Sequence, residues 1–349
     1  MGASPKGDAL FCAWVRQGCT KGECGGTMKH EDKTGRMIDV IFDSHCDSIS
    51  CALTEQVSLS QRAEGRQFDF AQAVGVTDFQ VMAVFVERAL QEKDSYPYFL
   101  QLQERLRAEV AQNEQVEMVT RAAQLHNWSK GQLGVFLALE GGEVIGTQLQ
   151  RLEEMYTLGL RAMSLTWNNT NALACGCGAG QDEGLSVLGR EAVQQMNRLG
   201  VVVDIAHLAT KGIAEVLRLT QAPIMDSHTA CAAICPHPRN LTDAQIKTLA
   251  ENGGVLGVTY VTQFLRTDET RASIDDVIEH IVHVAELVGT EHIGLGSDFD
   301  GVMRPLPGLT SVREVPLLAD KLAKKGFHAE EIEGIMGGNF KRLFENVLN

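Results

Sequence analysis

Eight times between residues 38 and 296 the chain presents a short apolar or β-branched run that ends at a polar residue and gives way to a longer segment of helical spacing. The runs are residues 39–42, 79–86, 134–139, 161–166, 201–205, 223–225, 254–259 and 292–296. None alternates cleanly between apolar and polar side chains, which is the pattern of strands buried on both faces in a parallel sheet. Eight strand-helix alternations predict an α/β chain closed into a (β/α)8 TIM barrel, because an open Rossmann sheet usually has fewer.

The intervening segments support that reading. Ile274, Val277, Ile278, Ile281, Val282 and Val284 keep the spacing of one helix face, with Ser273 as N-cap and Asp276 three residues later completing a capping box. Val193, Met196 and Leu199 form a second stripe that stops at Gly200, and Leu149, Leu152 and Leu160 suggest a third. Residues 96–125 are polar and helical in composition and are expected to cover one side of the barrel. The barrel is assigned to residues 37–349 and a flexible leader to residues 1–36.

Composition narrows the function. The chain has 349 residues, 44% hydrophobic and 22% charged, enough to bury a large core. Its 31 Lys and Arg stand against 45 Asp and Glu, a net charge of −14 that repels nucleic acid and anionic lipid. The densest basic cluster, Lys321, Lys324 and Lys325, reads as a solvated helix face. No run approaches the roughly 20 apolar residues of a membrane helix, and the leader's apolar stretch, residues 9–15, is shorter than most secretory cores. The nine cysteines are odd in number and irregularly spaced, so they are expected to be reduced thiols of a cytoplasmic protein. Gly176, Gly178 and Gly180 do not have the GxGxxG spacing and follow no first strand, which argues against a nucleotide site.

In a barrel of this type the carboxyl ends of the strands build the active site. The residues there are chemically biased. The first run is followed by Asp43-Ser44-His45-Cys46-Asp47, the third by Glu140, the fifth by His207, the sixth by His228 and the eighth by Asp298. His45 and Asp47, two apart, would point to the same side of an extended chain and bind one cation. Glu140 could bridge that cation to a second one held by His207 and His228. Each ion would then have three protein ligands and a free position, which is the catalytic arrangement. Imidazole and carboxylate without thiolate favour Zn2+, with Mn2+ or Co2+ also fitting. One such residue alone is more often a cap or a hydrogen-bonded side chain. Five at one rim are harder to explain otherwise, because buried charges cost several kcal/mol unless paired or metal-bound.

Other chemistry-bearing residues read as structural. His30, His126, His280, His283, His292 and His328 lie on helices, in polar contexts or at the far end of a strand. Cys175-x-Cys177 lacks a second Cys pair and reads as free loop thiols, and Cys231 and Cys235 as core fillers. Asp298-Phe299-Asp300-Gly301 resembles the start of a calcium loop but lacks the acidic residue at its twelfth position. Asp298 is better placed as an acid/base group beside the metals.

These motifs carry a family resemblance. Ser44-His45-Cys46-Asp47, Glu140-Gly141-Gly142, Val203-Asp204-Ile205-Ala206-His207, Asp226-Ser227-His228, His237-Pro238-Arg239-Asn240 and Gly296-Ser297-Asp298-Phe299-Asp300-Gly301 resemble, in order, those of the membrane (renal-type) dipeptidases, the M19 metallopeptidases of the amidohydrolase superfamily. The resemblance runs from residue 38 to Gly337-Gly338-Asn339-Phe340. It implies a metal-dependent hydrolase barrel in which His45 and Asp47 bind one zinc, His207 and His228 the other, and Glu140 bridges them. It further implies that Arg239 holds the free carboxylate of a dipeptide, that Asp298 shuttles the proton, and that dipeptides with a carboxyl-side D residue are accepted.

Two departures stand out. The family's animal members have a histidine after Leu-Thr where this chain reads Leu165-Thr166-Trp167-Asn168, so Trp167 or Asn168 takes that substrate-binding place. Their secretory signal and membrane anchor are also not seen, which points to a soluble microbial-type member. The family's frequent dimers imply a homodimer, although no interface stripe is visible. The expected chemistry is attack by a hydroxide bridging two metals, with Asp298 carrying its proton to the leaving amine. The alternatives are another amide or lactone hydrolase of the superfamily, disfavoured by His-x-Asp and a bridging glutamate, and a non-catalytic binding barrel, disfavoured by the intact ligand set.

Overall fold

The computed structural model describes residues 38–86, 94–302 and 304–349; the leader expected over residues 1–36 lies outside them. Among the described residues nine strands run in chain order: β1 (Phe42–Cys46), β2 (Phe79–Phe85), β3 (Val116–Met118), β4 (Leu133–Glu140), β5 (Leu160–Ser164), β6 (Val202–Asp204), β7 (Met225–Thr229), β8 (Val255–Val258) and β9 (Ile293–Leu295). All their pairings are parallel. Eight of them close on themselves because β2 pairs with β4 as well as β1, and helices surround the ring. The expected (β/α)8 barrel is the observed fold.

The ninth strand, β3, was not expected. Residues 96–125 form not one helical stretch but the helix Tyr96–Ala111, then β3, then the helix Ala122–His126. β3 pairs with Leu133–Val135 at the start of β4, below the stretch from Leu137 to Leu139 that pairs with β5. Three residues carry too little periodicity to show in the sequence. The Leu149 and Leu152 stripe belongs to the helix Gln150–Thr157, but Leu160 opens β5 instead. Ser273 and Asp276 form the expected capping box, and Gly200 ends its helix in the left-handed region at φ 75°.

Two cores result. Phe42, Phe79, Phe136, Val202, Met225 and Val255 point into the barrel and pack on Phe340 and Phe344 of the C-terminal helix Asn339–Val347. The Phe42 and Phe136 rings are 5.4 Å apart, and Phe136 and Phe344 4.6 Å. Full burial of each such side chain contributes about 1.5–3 kcal/mol, so this stack stoppers the amino-terminal end of the barrel with carbon. The larger core lies between strands and helices. Polar side chains are thereby concentrated at the opposite mouth. Among the described residues no helix is long and apolar enough to cross a membrane.

Candidate metal centre

β1 and β7 are each one residue out of step with a neighbour. Asp43 and Cys46 pair with Gln80 and Met82, so three steps on β1 match two on β2. Asp226 and Thr229 likewise pair with Leu256 and Val258. Such bulges re-aim side chains at barrel rims, and His45 and His228 lie within them. They also correct two strand limits: β1 and β7 begin on the apolar runs but continue through Asp43–Cys46 and Asp226–Thr229, because polar side chains at the carboxyl end still keep the ladder.

Backbone strain gathers at the same rim. His207, Asp298 and Asp300 have positive φ of 66°, 60° and 62°, a region that costs non-glycine residues of order 1–3 kcal/mol and is used where structure holds function in place. The Asp298 N–H donates to the His45 carbonyl at 3.1 Å. Asp43 Oδ1 accepts from the N–H groups of His45 and Ser297, at 3.2 and 2.9 Å, tying β1 to the segment after β9.

The structure brings the five expected ligands together. Glu140 Oε2 lies 3.6 Å from His45 Nε2, while Glu140 Oε1 lies 2.8 Å from His207 Nε2 and 3.7 Å from His228 Nε2. His45 Nε2 is also 3.6 Å from Asp47 Oδ2 and 3.8 Å from Asp298 Oδ1. All five ligands are buried, and both His45 Nε2 and Asp47 Oδ1 have no hydrogen-bond partner. Orphaned donor atoms in a cluster of imidazoles and carboxylates fit divalent cations, because leaving them unpaired in the interior is costly. The residue sets His45, Glu140, His228 and His45, Asp47, Asp298 each bring their donor atoms within 4.8 Å of one another.

The second nitrogen of two histidines is held from outside. His207 Nδ1 is 2.8 Å from Asn168 Oδ1, and His228 Nδ1 is 2.8 Å from Ser227 Oγ. This is the second layer that orients metal-binding imidazoles. Burial and then the Arg239 cation bring His207 down to about 4; burial, with His45 and Arg239, holds His228 well below its usual range. Both rings are therefore neutral near pH 7, as ligation requires. Burial opposes charge on His45, but Glu140 and Asp47 outweigh it and push that imidazole well up. Burial likewise disfavours the Glu140 carboxylate, yet His45 and His207 hold it well below the ordinary carboxyl range. Asp298 is raised well above that range by burial, with Asp47 and Glu140 adding repulsion.

Arg239 is buried beside the centre. Its Nη2 donates to the His228 carbonyl at 2.7 Å, its guanidinium carbon is 5.5 Å from the Phe264 ring centre, and its Nε has no partner. Trp167 stands at the rim, its ring 5.4 Å from Phe85 and 5.9 Å from His207. Asn168 meets the cluster through His207, and its Oδ1 also accepts from the Cys177 thiol at 3.2 Å. Asp300 accepts from Ser48 Oγ and the Gln67 N–H, at 2.6 and 3.0 Å, which pins the loop. His280 bridges the Cys231 N–H and the Leu265 carbonyl inside the protein, in keeping with its structural reading.

Three contributors escaped the sequence reading: Ser227, Asp43 and Gly301. A Cβ on Gly301 would lie 2.1 Å from Asp47 Oδ2 and 2.3 Å from Asp298 Oδ1, so the bare backbone there sets the position of both carboxylates. Each sits inside or beside a motif already singled out, which was the available signal; their roles depend on contacts across strands.

Known proteins share this fold. A dipeptidase solved as a family M19 metallopeptidase superposes with a TM-score of 0.82 at 27% identity, covering 89% of this chain and 99% of that one. A metallopeptidase of Rhodobacter sphaeroides, solved with a phosphinate mimic of the dipeptide L-Ala-D-Ala, gives 0.80 at 26% identity over 88% and 99% of the two chains. An uncharacterized dipeptidase of Schizosaccharomyces pombe is 37% identical over 225 residues, 63% of this chain; the match spans 54% of that relative, about half its length. The model of the membrane dipeptidase family, peptidase family M19, matches residues 37–349, from just before β1 to the last residue, and the chain belongs to that family.

Proposed function

We propose that the protein is a dinuclear zinc dipeptidase that hydrolyses the peptide bond of free dipeptides, including those with a carboxyl-side D residue. The observation that carries this reading is the division of Glu140: one oxygen faces His45, the other His207 and His228. A carboxylate so placed would help hold two cations, one with His45 and Asp47, the other with His207 and His228. Mn2+ or Co2+ would suit the same donors. When bound, such cations supply Lewis acidity toward the scissile carbonyl and acidify water to near neutrality.

The side chains supply the remainder. Arg239, with Nε unpaired, takes the substrate's terminal carboxylate in a charge-assisted pair and so restricts cleavage to short peptides. Asp298, whose Oδ1 lies 3.8 Å from His45 Nε2 at the rim, takes a proton from the attacking water and delivers it to the leaving amine nitrogen. Trp167 and Asn168 line the substrate side of His207. The likeness to a relative liganded by an L-Ala-D-Ala mimic supports acceptance of D residues. We extend the proposal to a cytoplasmic location, which the free thiols of Cys46, Cys175, Cys177, Cys231 and Cys235 support. Turnover of a stereochemically defined dipeptide panel, lost on chelation and restored by zinc, tests the reading; no turnover of any dipeptide by zinc-loaded protein overturns it.

A further inference from the structure

Beside the His207 edge of the centre lies a cavity of about 460 Å3 that shares Arg239 with it and is walled by Ile205, Leu208 and Ile213. Asp226 also lines it. Met225 points into the barrel core, so the next residue of β7 points outward, and the Asp226 side chain is directed to the cavity. It is 1% exposed, its Oδ1 has no hydrogen-bond partner, and it forms no ion pair among the described residues. A buried carboxylate in this state is costly unless a cation comes to it.

We propose that this cavity receives the side chain of the substrate's carboxyl-side residue and that Asp226 selects a cationic one, such as lysine, ornithine or arginine. The proposal rests on the dipeptidase reading and on Arg239 as the anchor of the terminal carboxylate. With the carboxylate on Arg239, the side chain of that same residue is next to the cavity Arg239 lines. The charge balance then decides. Arg239 is the cation that Asp226 and the cavity share, and a bound carboxylate neutralises it. Asp226 is left without a counter-charge in a buried space. A substrate ammonium or guanidinium supplies one, and its methylene stem lies along Ile205, Leu208 and Ile213, as long cationic side chains do. Asp182, on the wall formed by the loop before the helix Val187–Leu199, adds a second negative group, its Oδ2 accepting from the Lys211 N–H and its carbonyl from Lys211 Nζ. A glutamyl or aspartyl side chain would face two carboxylates and be rejected, an unfavourable contact that sharpens specificity.

The test uses zinc-loaded full-length protein and alanyl dipeptides whose carboxyl-side residue is lysine, norleucine or glutamate. The ratio of kcat/KM for lysine over norleucine is expected to be at least tenfold, with glutamate slowest. In Asp226→Asn that ratio should fall at least tenfold, a change that general damage to the fold would not produce. A ratio near one in the native protein, or one unchanged in the variant, overturns the proposal while leaving the dipeptidase reading intact. If no dipeptide is cleaved, it is the dipeptidase reading that fails. Calorimetry with free lysine and norleucine then decides the cavity separately: tighter binding of lysine supports a cation site, and equal binding overturns it. Should Asp226→Asn fail to fold, Asp226→Ala and the two native-protein measurements take its place.

Discussion

Asn168 and His207, thirty-nine residues apart, are joined at 2.8 Å between Oδ1 and Nδ1. With Nδ1 engaged by the Asn168 amide, the ring presents Nε2 to the centre, 2.8 Å from Glu140 Oε1 and 2.9 Å from His228 Nε2. Asn168 thereby orients one of the imidazoles proposed to bind metal. Asn168→Ala is expected to weaken metal binding at His207 by roughly 10–100-fold, the usual effect of removing such a partner. Competition with a chromophoric chelator measures it; unchanged affinity would mean the contact is incidental.

Removing the ligand itself should be more severe. His207→Ala is expected to lose one metal equivalent per chain, because the remaining His228 and Glu140 are too few to hold a catalytic ion. Elemental analysis after dialysis gives the count directly, and full occupancy in the variant would refute the assignment.

Asp298 touches the centre but is reserved for proton transfer in the proposed chemistry. Asp298→Asn keeps its size and its amide N–H to the His45 carbonyl while removing the titratable group. It should lower kcat by at least ~100-fold with metal content retained. Activity surviving the change would remove Asp298 from the proton path.

Gly301 is expected to matter through what it lacks. Gly301→Ala introduces a methyl 2.1 Å from Asp47 Oδ2 and 2.3 Å from Asp298 Oδ1, and these buried carboxylates must move. Misplacement of that order can cost about 100-fold in rate. Thermal unfolding within a few degrees of the native protein, alongside that loss, would separate displaced carboxylates from a damaged fold.

Metal uptake should release protons. His45 holds its proton because Glu140 and Asp47 outweigh the effect of burial, and only the neutral ring can ligate. With its pKa well above the ordinary imidazole value, His45 is charged at pH 7 and must discharge as a cation enters. At least about one proton per chain should appear on zinc binding at pH 7, and affinity should fall as pH is lowered. Calorimetry in buffers of different ionisation enthalpy reads that number; a value near zero would show His45 neutral beforehand.

The barrel could be read from residues 38–296 because eight strands buried on both faces leave eight mostly apolar runs, and the candidate site could be read because ionisable residues follow those runs at one end. The short β3 could not, nor could the true extents of β1 and β7. A polarity criterion stops at Asp43 and Asp226, whereas the ladder hydrogen bonds continue beneath the polar side chains that face the mouth. Burial and alternation are properties of a strand, but register is a property of a pair.

What belonged to the chain alone was therefore the architecture and the cast: a closed parallel barrel with His45, Asp47, Glu140, His207, His228, Arg239 and Asp298 at its rim. Local periodicity and strand-end position are encoded in neighbouring residues. Only the folded molecule decided how those groups face one another: the bulges that aim His45 and His228, the division of Glu140 between two sides, the hold of Asn168 on His207, and the unpaired Asp226 beside Arg239. Each depends on side chains from different strands meeting within a few ångströms, a distance that no spacing along the chain specifies.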